Sequence, residues 1–402
     1  MYKYILIGCM MLLYACSEEN NRVPLIDDPI IPGKVSNVRV EALPGAVQLI
    51  YDLPASYNLS YVRAECLING VVRQVKASSN ANTLIVNGFA DESEYTVNLF
   101  SVSRSEKASE PVTVKVKPLS PPFQEVFKDL RLVEDWGGAC VLFDNPTEAD
   151  LAITIIDRDN DGFWSEGETF YTKMKQGSVS VHGFEAKKTT FGVYIRDRWN
   201  NFTDTLVMEL TPRFEKLLDK SKFRPVRFPN DSPMLDRVFV RVEYMWDGEA
   251  PQSQSGNCFA TDYGTAANWP HFVSFDLGVE EGAYISRFNL SARPPYFESH
   301  QMQFFEIWGS MDPSPDGSWE SWTRLLEGEV IKPSGLPAGE LSDEDRQRCN
   351  EGWDFSFPLE NPPVRYIRIK CLKVFIPMYA FAISEVTFWG QEPSDVYNVN
   401  DK

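Results

Sequence analysis

Apolar residues along this chain recur in short runs that alternate with polar ones and stop at glycine, proline, asparagine or aspartate, and this habit constrains the fold more than any other feature. Between residues 34 and 118 such runs fall at 35–40, 46–51, 61–68, 71–76, 83–86, 95–102 and 112–116. Successive side chains of a strand point to opposite faces, so each run has one face for a core and one for water. Seven of them so closely spaced predict a β-sandwich. Asn69-Gly70, between the third and fourth runs, is a two-residue hairpin turn that needs positive φ at both positions. A helical period is hard to find; the best candidate is the short stretch 214–222. The predicted class is all-β.

Leu119-Ser120-Pro121-Pro122 interrupts the series, because paired prolines cannot continue a ladder. Runs at 130–134, 139–143, 151–156, 169–173, 178–181, 189–197 and 203–210 then repeat the pattern, predicting a second β-sandwich over 123–212. Residues 213–231 read as a linker. Beyond them, over 232–391, come Trp246-Asp247-Gly248, then Phe272-Val273-Ser274-Phe275-Asp276-Leu277-Gly278 and Ile285-Ser286-Arg287-Phe288-Asn289-Leu290. Phe305-Glu306-Ile307-Trp308-Gly309-Ser310, Arg365-Tyr366-Ile367-Arg368-Ile369 and Ile383-Ser384-Glu385-Val386-Thr387-Phe388-Trp389-Gly390 complete the set, spaced as in an eight-stranded jelly roll. Residues 392–402 are a tail. A chain of 402 residues exceeds what one small core supports, which agrees with three units.

The motifs over 232–391, in that order, resemble the discoidin, or coagulation-factor C-type, galactose-binding-like fold. Residues 34–118 resemble a fibronectin type III or related immunoglobulin-like domain. Tyr95, opening the sixth run after Asp91-Glu92-Ser93-Glu94, stands where such domains keep a tyrosine whose hydroxyl ties down the preceding corner, and Tyr51 stands where they keep a tryptophan.

The N-terminus speaks to location. Lys3, an apolar run over 5–13 and Ala15-Cys16 have the order of a secretory signal, and the run is far shorter than the roughly 20 residues that span a bilayer. The stretch resembles a bacterial lipoprotein signal, 1–16, in which Cys16 is acylated. Ser17-Glu18-Glu19 resembles the surface-export signal of Bacteroides-type lipoproteins. That resemblance implies a cell-surface protein of the outer membrane, attached through its lipid anchor, with the polar, proline-punctuated residues 17–33 as a tether. The whole order resembles the lipoproteins of Sus-like glycan-uptake systems, which implies a polysaccharide or oligosaccharide ligand and SusC/SusD-like outer-membrane proteins as partners. A net charge of −18 disfavours nucleic acid and anionic lipid surfaces, both of which need clustered Lys or Arg. Cys66, Cys140, Cys258, Cys349 and Cys371 remain beyond the signal; an exported chain could oxidise one C-terminal pair, and Cys371, in phase with Ile367 and Ile369, reads as a core residue.

Catalytic signatures are scarce. His182, His271 and His300 form no ligand-spaced pair, and neither a GxSxG elbow nor a phosphate loop occurs. Asp157-Arg158-Asp159-Asn160-Asp161-Gly162, with Glu168 at the twelfth place, matches a calcium-loop pattern, yet strands flank it where helices belong. It reads equally as a calcium-stabilised hairpin loop, ligated by Asp157, Asp159, Asp161 and Glu168, and as a solvated acidic turn. The galactose-binding-like resemblance implies a second, structural calcium between Asp247 and Glu385. Sugar recognition needs flat apolar faces and a few polar groups. The resemblance places the ligand among loops at one end of the roll, where the candidates are Trp269, Arg293, Tyr296, His300 and Tyr379. The expected function is glycan capture; an adhesin or assembly module whose roll binds protein, and a glycan-processing enzyme, are the competing readings.

Overall fold

The computed structural model describes residues 28–159, 161–249 and 256–395, so Cys16 and the residues around it lie outside the described part. The chain is an all-β protein built of several sheets. In the first unit β1 (Ser36–Leu43), β2 (Ala46–Asp52) and β5 (Thr83–Asn87) form one antiparallel sheet. Strands β4 (Val71–Ser78), β3 (Leu59–Ile68), β6 (Tyr95–Ser103) and β7 (Val112–Val116) form the other. Alternation does the work: Val62, Ala64, Cys66 and Ile68 of β3 turn inward against Val47, Leu49 and Tyr51 of β2. Asn69 and Gly70 take φ of 49° and 75°, the two positive values that the tight β3–β4 hairpin requires. Tyr95 Oη donates to Asp91 Oδ1 at 2.9 Å, pinning the corner before β6.

The second unit opens with a helix that the strand pattern hides. Helix α1 (Pro122–Asp129) starts directly at the proline pair and buries Phe123 and Val126. Proline suits a first helical turn, since its missing N–H would have had no partner there. Then β8 (Arg131–Asp135), β9 (Gly138–Asp144) and β12 (Gln176–Val181) make one sheet. Strands β10 (Leu151–Arg158), β11 (Glu168–Thr172), β13 (Thr189–Asp197) and β14 (Leu206–Leu210) make the second, in the order β11-β10-β13-β14.

The expected linker 213–231 is in fact part of the third unit. β15 (Lys216–Leu217) and β16 (Arg224–Pro225) pair into its two sheets, and the expected helix at 214–222 is the short strand β15 followed by a single 3-10 turn at Lys220–Lys222. The other elements are β17 (Phe259–Ala260), β18 (His271–Asp276), β19 (Tyr284–Ser291), β20 (His300–Ser310), β21 (Thr323–Glu329), α2 (Asp343–Glu351), β22 (Trp353–Ser356), β23 (Tyr366–Val374), β24 (Phe381–Ile383) and β25 (Glu385–Gln391). One sheet runs β15-β25-β19-β22; the other runs β16-β18-β23-β20-β24-β17, with β21 added to β20. Phe275, Phe288, Phe305 and Phe388 meet between the sheets. Helix α2 has almost no apolar face, and a capping box between Ser342 and Asp345 starts it. All five described cysteines are buried and unpaired with one another, so the C-terminal disulfide considered above is not formed; Cys371 lies in the core.

One buried charge organises this unit. Arg368 on β23 is fully out of water, with its guanidinium 4.1 to 5.4 Å from the ring centres of Phe228, Phe272, Trp319 and Trp322. Its Nε donates to Ser274 Oγ at 2.9 Å, its Nη1 to the Gly317 carbonyl at 3.0 Å, and Asp231 Oδ1 lies 3.5 Å from Nη2. Burial lowers its pKa to about 10, against the pull of Asp231. Removing the cation leaves Asp231 buried and the cage empty, so Arg368→Ala is expected to cost about 3–5 kcal/mol in denaturant unfolding. A loss below about 1 kcal/mol, the level of a surface pair, would show that the cage holds nothing together.

Candidate functional site

Three connections converge at one end of the third unit. They are residues 261–270 before β18, 292–299 before β20, and 375–380 before β24. The Gly264 amide donates to the Tyr379 carbonyl at 2.8 Å, and the Trp269 indole N–H donates to the Leu372 carbonyl at 3.0 Å. Trp269 stands 6.1 Å from the Tyr379 ring, and Tyr263 meets His300 edge-on at 5.5 Å. The Leu372 carbonyl of β23 and the Tyr379 carbonyl of the loop after it thus act as hooks that hold the 261–270 loop in place.

Between them opens a pocket of about 310 Å³, lined by Leu235, Phe239, Ala260, Tyr263, Arg293, Pro294, Pro295, Ser299, His300 and Gln301. Its apolar wall is the 62% exposed ring of Tyr263. Its polar groups are few. Arg293 Nη1 donates to Cys258 Sγ at 3.3 Å. Gln301 is only 8% exposed; its Oε1 accepts from the Phe297 amide at 2.6 Å, while its Nε2 has no partner among the described residues. Burial, and then the Arg293 charge, hold the His300 pKa below its ordinary 6.5. Its imidazole is neutral near pH 7 and can both donate and accept. Phe297 and His300 both sit at positive φ, 53° and 73°, a conformation that non-glycine residues adopt only when surroundings impose it.

Of the residues singled out from sequence, Arg293 and His300 line the pocket, and Trp269 and Tyr379 stand beside it. Tyr296 does not line it; its hydroxyl donates to Asn350 Oδ1 at 3.4 Å, and its ring packs on the core. Tyr263 was only one of many loop aromatics in the sequence, and Gln301 gave no signal at all, being a polar residue at the start of a strand.

The two calcium expectations meet different surroundings. Asp247 and Glu385 do come together, for the Gly248 amide donates to Glu385 Oε2 at 3.2 Å. Lys220 Nζ, however, donates to Glu385 Oε1 and, at 2.9 Å, to Thr387 Oγ1, so an ammonium supplies the positive charge there. In the 157–168 loop Asp159 Oδ1 accepts from the amides of Asp161 and Phe163, and Glu168 opens β11 opposite Ile155. Among the described residues no three His, Cys, Asp or Glu side chains gather around a point that could hold a metal ion.

Residues 32–118, 119–221 and 246–390 match three family models, DUF4959, DUF5126 and DUF5000, each described as a domain of unknown function. No curated protein matches the chain. Among solved structures it is similar to the SusE-like protein BT2857, with 29% identity over 67% of this chain and 99% of that one, at a TM-score of 0.44. It is also similar to the C-terminal domain of a chitobiase from Bacteroides fragilis, with 12% identity over 44% and 98% and a TM-score of 0.31. A two-domain fibronectin type III segment of chicken tenascin gives 13% identity over 44% and 99%, with a TM-score of 0.23.

Two outcomes are expected. Because the folded state lowers the His300 pKa, the unfolded chain takes up its proton first on acidification, so this group contributes nothing to pH dependence above 6.5 and destabilises the fold as pH falls below it. An imidazole NMR titration giving a His300 midpoint at or above 6.5 would refute the assignment. Because Lys220 already neutralises Glu385, a chelator should leave the melting temperature unchanged; a chelator-induced fall would mean that the acidic groups rearrange around calcium.

Proposed function

We propose that the protein is a surface-anchored carbohydrate-binding lipoprotein whose third unit captures a glycan in the pocket at its loop end and hands it to a Sus-type uptake system through SusC/SusD-like proteins. The observation that carries this reading is the pocket itself, which sets the exposed ring of Tyr263 beside the polar side chains of Arg293 and His300. A pyranose presents the matching surfaces: C–H groups for the Tyr263 face, and hydroxyls for the neutral His300 imidazole and the Arg293 guanidinium. Tyr379, 43% exposed and held by the Gly264 amide next to Tyr263, is a second aromatic ring open to a longer ligand. The Sus-type setting and the outer-membrane location come from the resemblance carried by Cys16-Ser17-Glu18-Glu19 and by the order of the three units; one of the similar solved proteins is itself called SusE-like.

A glycan array with the soluble chain lacking residues 1–16 tests the proposal. Tyr263→Ala and Tyr379→Ala should each weaken the glycan found by about 1–3 kcal/mol, the scale of a lost ring and its burial, while Tyr296→Ala leaves it unchanged. Binding to no polysaccharide, together with capture of a protein, would instead favour the adhesin reading. Anchoring is separable from binding: Cys16→Ala should release the protein from the membrane fraction, and protease shaving of intact cells should degrade the wild type. Protection from the protease would place the protein on the inner side and end the capture proposal.

A further inference from the structure

The second unit carries a cleft of a different character. It measures about 390 Å³ and is lined by Asp150, Leu151, Ala152, Tyr171, Thr172, Lys173, Arg196, Asp197 and Arg198. The strand register builds it: Ala152 of β10 lies directly between Tyr171 of β11 and Arg196 of β13. A small, buried alanine between two long side chains makes a trough with a tyrosine on one wall and a guanidinium on the other. Tyr171 is 76% exposed, and Arg196 Nη2 donates to its hydroxyl at 3.3 Å while Nη1 donates to Asn200 Oδ1 at 2.8 Å. Both partners of this guanidinium are neutral. Lys173 and Arg198 share the single carboxylate of Asp150, at 2.8 and 3.9 Å. Asp197 is buried and spent on its own turn, where it accepts from the amides of Trp199 and Asn201 and from Asn201 Nδ2. The cleft therefore holds three cations against two carboxylates, one of them turned inward, on a chain of net charge −18. Beyond Arg198, which stacks 4.1 Å from the Trp199 ring, a second cavity of about 280 Å³ continues along Asp150, Leu151, Asp197 and Arg198 to the first unit.

We infer that this groove is a second saccharide site, selective for sugars that carry an anionic group, a carboxylate or a sulfate. An acidic protein repels such polymers at long range, and a site for them must collect positive charge locally. The trough does so beside the exposed Tyr171 ring, over which the Arg196 guanidinium lies 6.0 Å from the centre, and guanidinium forks suit both oxyanions. The site is independent of the pocket in the third unit, and variants in each distinguish the two.

Calorimetry on the full soluble chain, with oligogalacturonate as the carboxylate probe, its methyl ester as the neutral control and a chondroitin sulfate oligosaccharide as the sulfated probe, tests this. At least one anionic probe should bind, more weakly as salt is raised, and for galacturonate the ester should bind about tenfold less well. Arg196→Gln should weaken binding by about tenfold, since a charged fork becomes a neutral amide at a half-buried strand position. Tyr171→Ala should weaken it at unchanged salt dependence, and Tyr263→Ala should leave it intact. Absence of binding by both anionic probes overturns the inference. So does binding that survives Arg196→Gln and Tyr171→Ala, or that is lost only with Tyr263→Ala.

Discussion

The guanidinium of Arg368 is the contact on which the third unit depends. A cation with no exposure is costly unless every face of it is met, and here four rings, a hydroxyl, a carbonyl and a carboxylate meet it. Those partners come from the entering segment at 228–231, from β18, and from the loop at 317–322, so one side chain ties three remote stretches to β23. Arginine suits this place better than lysine, because a flat delocalised ion can stack between rings while still donating in its plane. The same strand is fixed at its start by Arg365, whose Nε and Nη2 grip both oxygens of Asp276 at 2.8 to 3.1 Å, and beyond Arg368 by Lys370, paired with Glu306 at 2.9 Å. With its register held at three points, β23 delivers the Leu372 carbonyl to Trp269 and leads into the loop that bears Tyr379.

The chemistry of the pocket follows from that rigidity. Loops anchored by backbone hydrogen bonds can hold a polar group away from water without collapsing onto it, which is how Gln301 keeps a free donor and His300 stays uncharged. The positive φ at Phe297 and His300 belongs to the same economy: a strained turn keeps Gln301 Oε1 on the Phe297 amide and turns the other end of the amide free. Neutral donors and acceptors beside a ring are selective for hydroxyls, whereas the unmatched cations of the trough around Arg196 favour oxyanions. Two sites with such different electrostatics on one chain would read different groups of one ligand.

Period-two alternation in β3 and β13 was plain in the sequence because those strands have one buried and one wet face, and the order of the units followed from it. What alternation cannot report is who sits across a loop. Arg368 reads as an ordinary polar position within Arg365-Tyr366-Ile367-Arg368-Ile369, and nothing nearby says that Phe228, Phe272, Trp319 and Trp322 will close over it. Helix α2 escaped notice because its sequence has no apolar stripe; its signal was the capping pair Ser342 and Asp345, which pattern-matching for strands passes over. Arg293 and His300 were recoverable because a proline-flanked loop between two clear strands must lie at one end of the roll. Tyr263 and Gln301 were not, since their role depends on how three loops stack, and Lys220 reached Glu385 only because the supposed linker is stitched into both sheets.

Side chains and backbone groups bond across the joints between units. Asn201 donates to the Gly88 carbonyl at 3.1 Å and accepts from Asn69 Nδ2 at 2.8 Å, while Arg73 donates to the Trp199 carbonyl at 3.2 Å. Gly88 has positive φ, and a Cβ there would stand 2.8 Å from the Trp199 ring, so the closeness of this joint requires glycine. At the next joint Ser356 Oγ lies 3.4 Å from His182 Nε2, and Trp136 lies 6.3 Å from Tyr284. Polar and aromatic contacts on both sides of a joint resist bending in a way that a proline linker alone does not. Sites held at a fixed spacing gain from one another only when a single ligand spans them, since the second contact is then made at a high effective concentration. If the two proposed sites take one ligand, contacts across the joints that keep their spacing narrow favour an extended polymer over a short sugar.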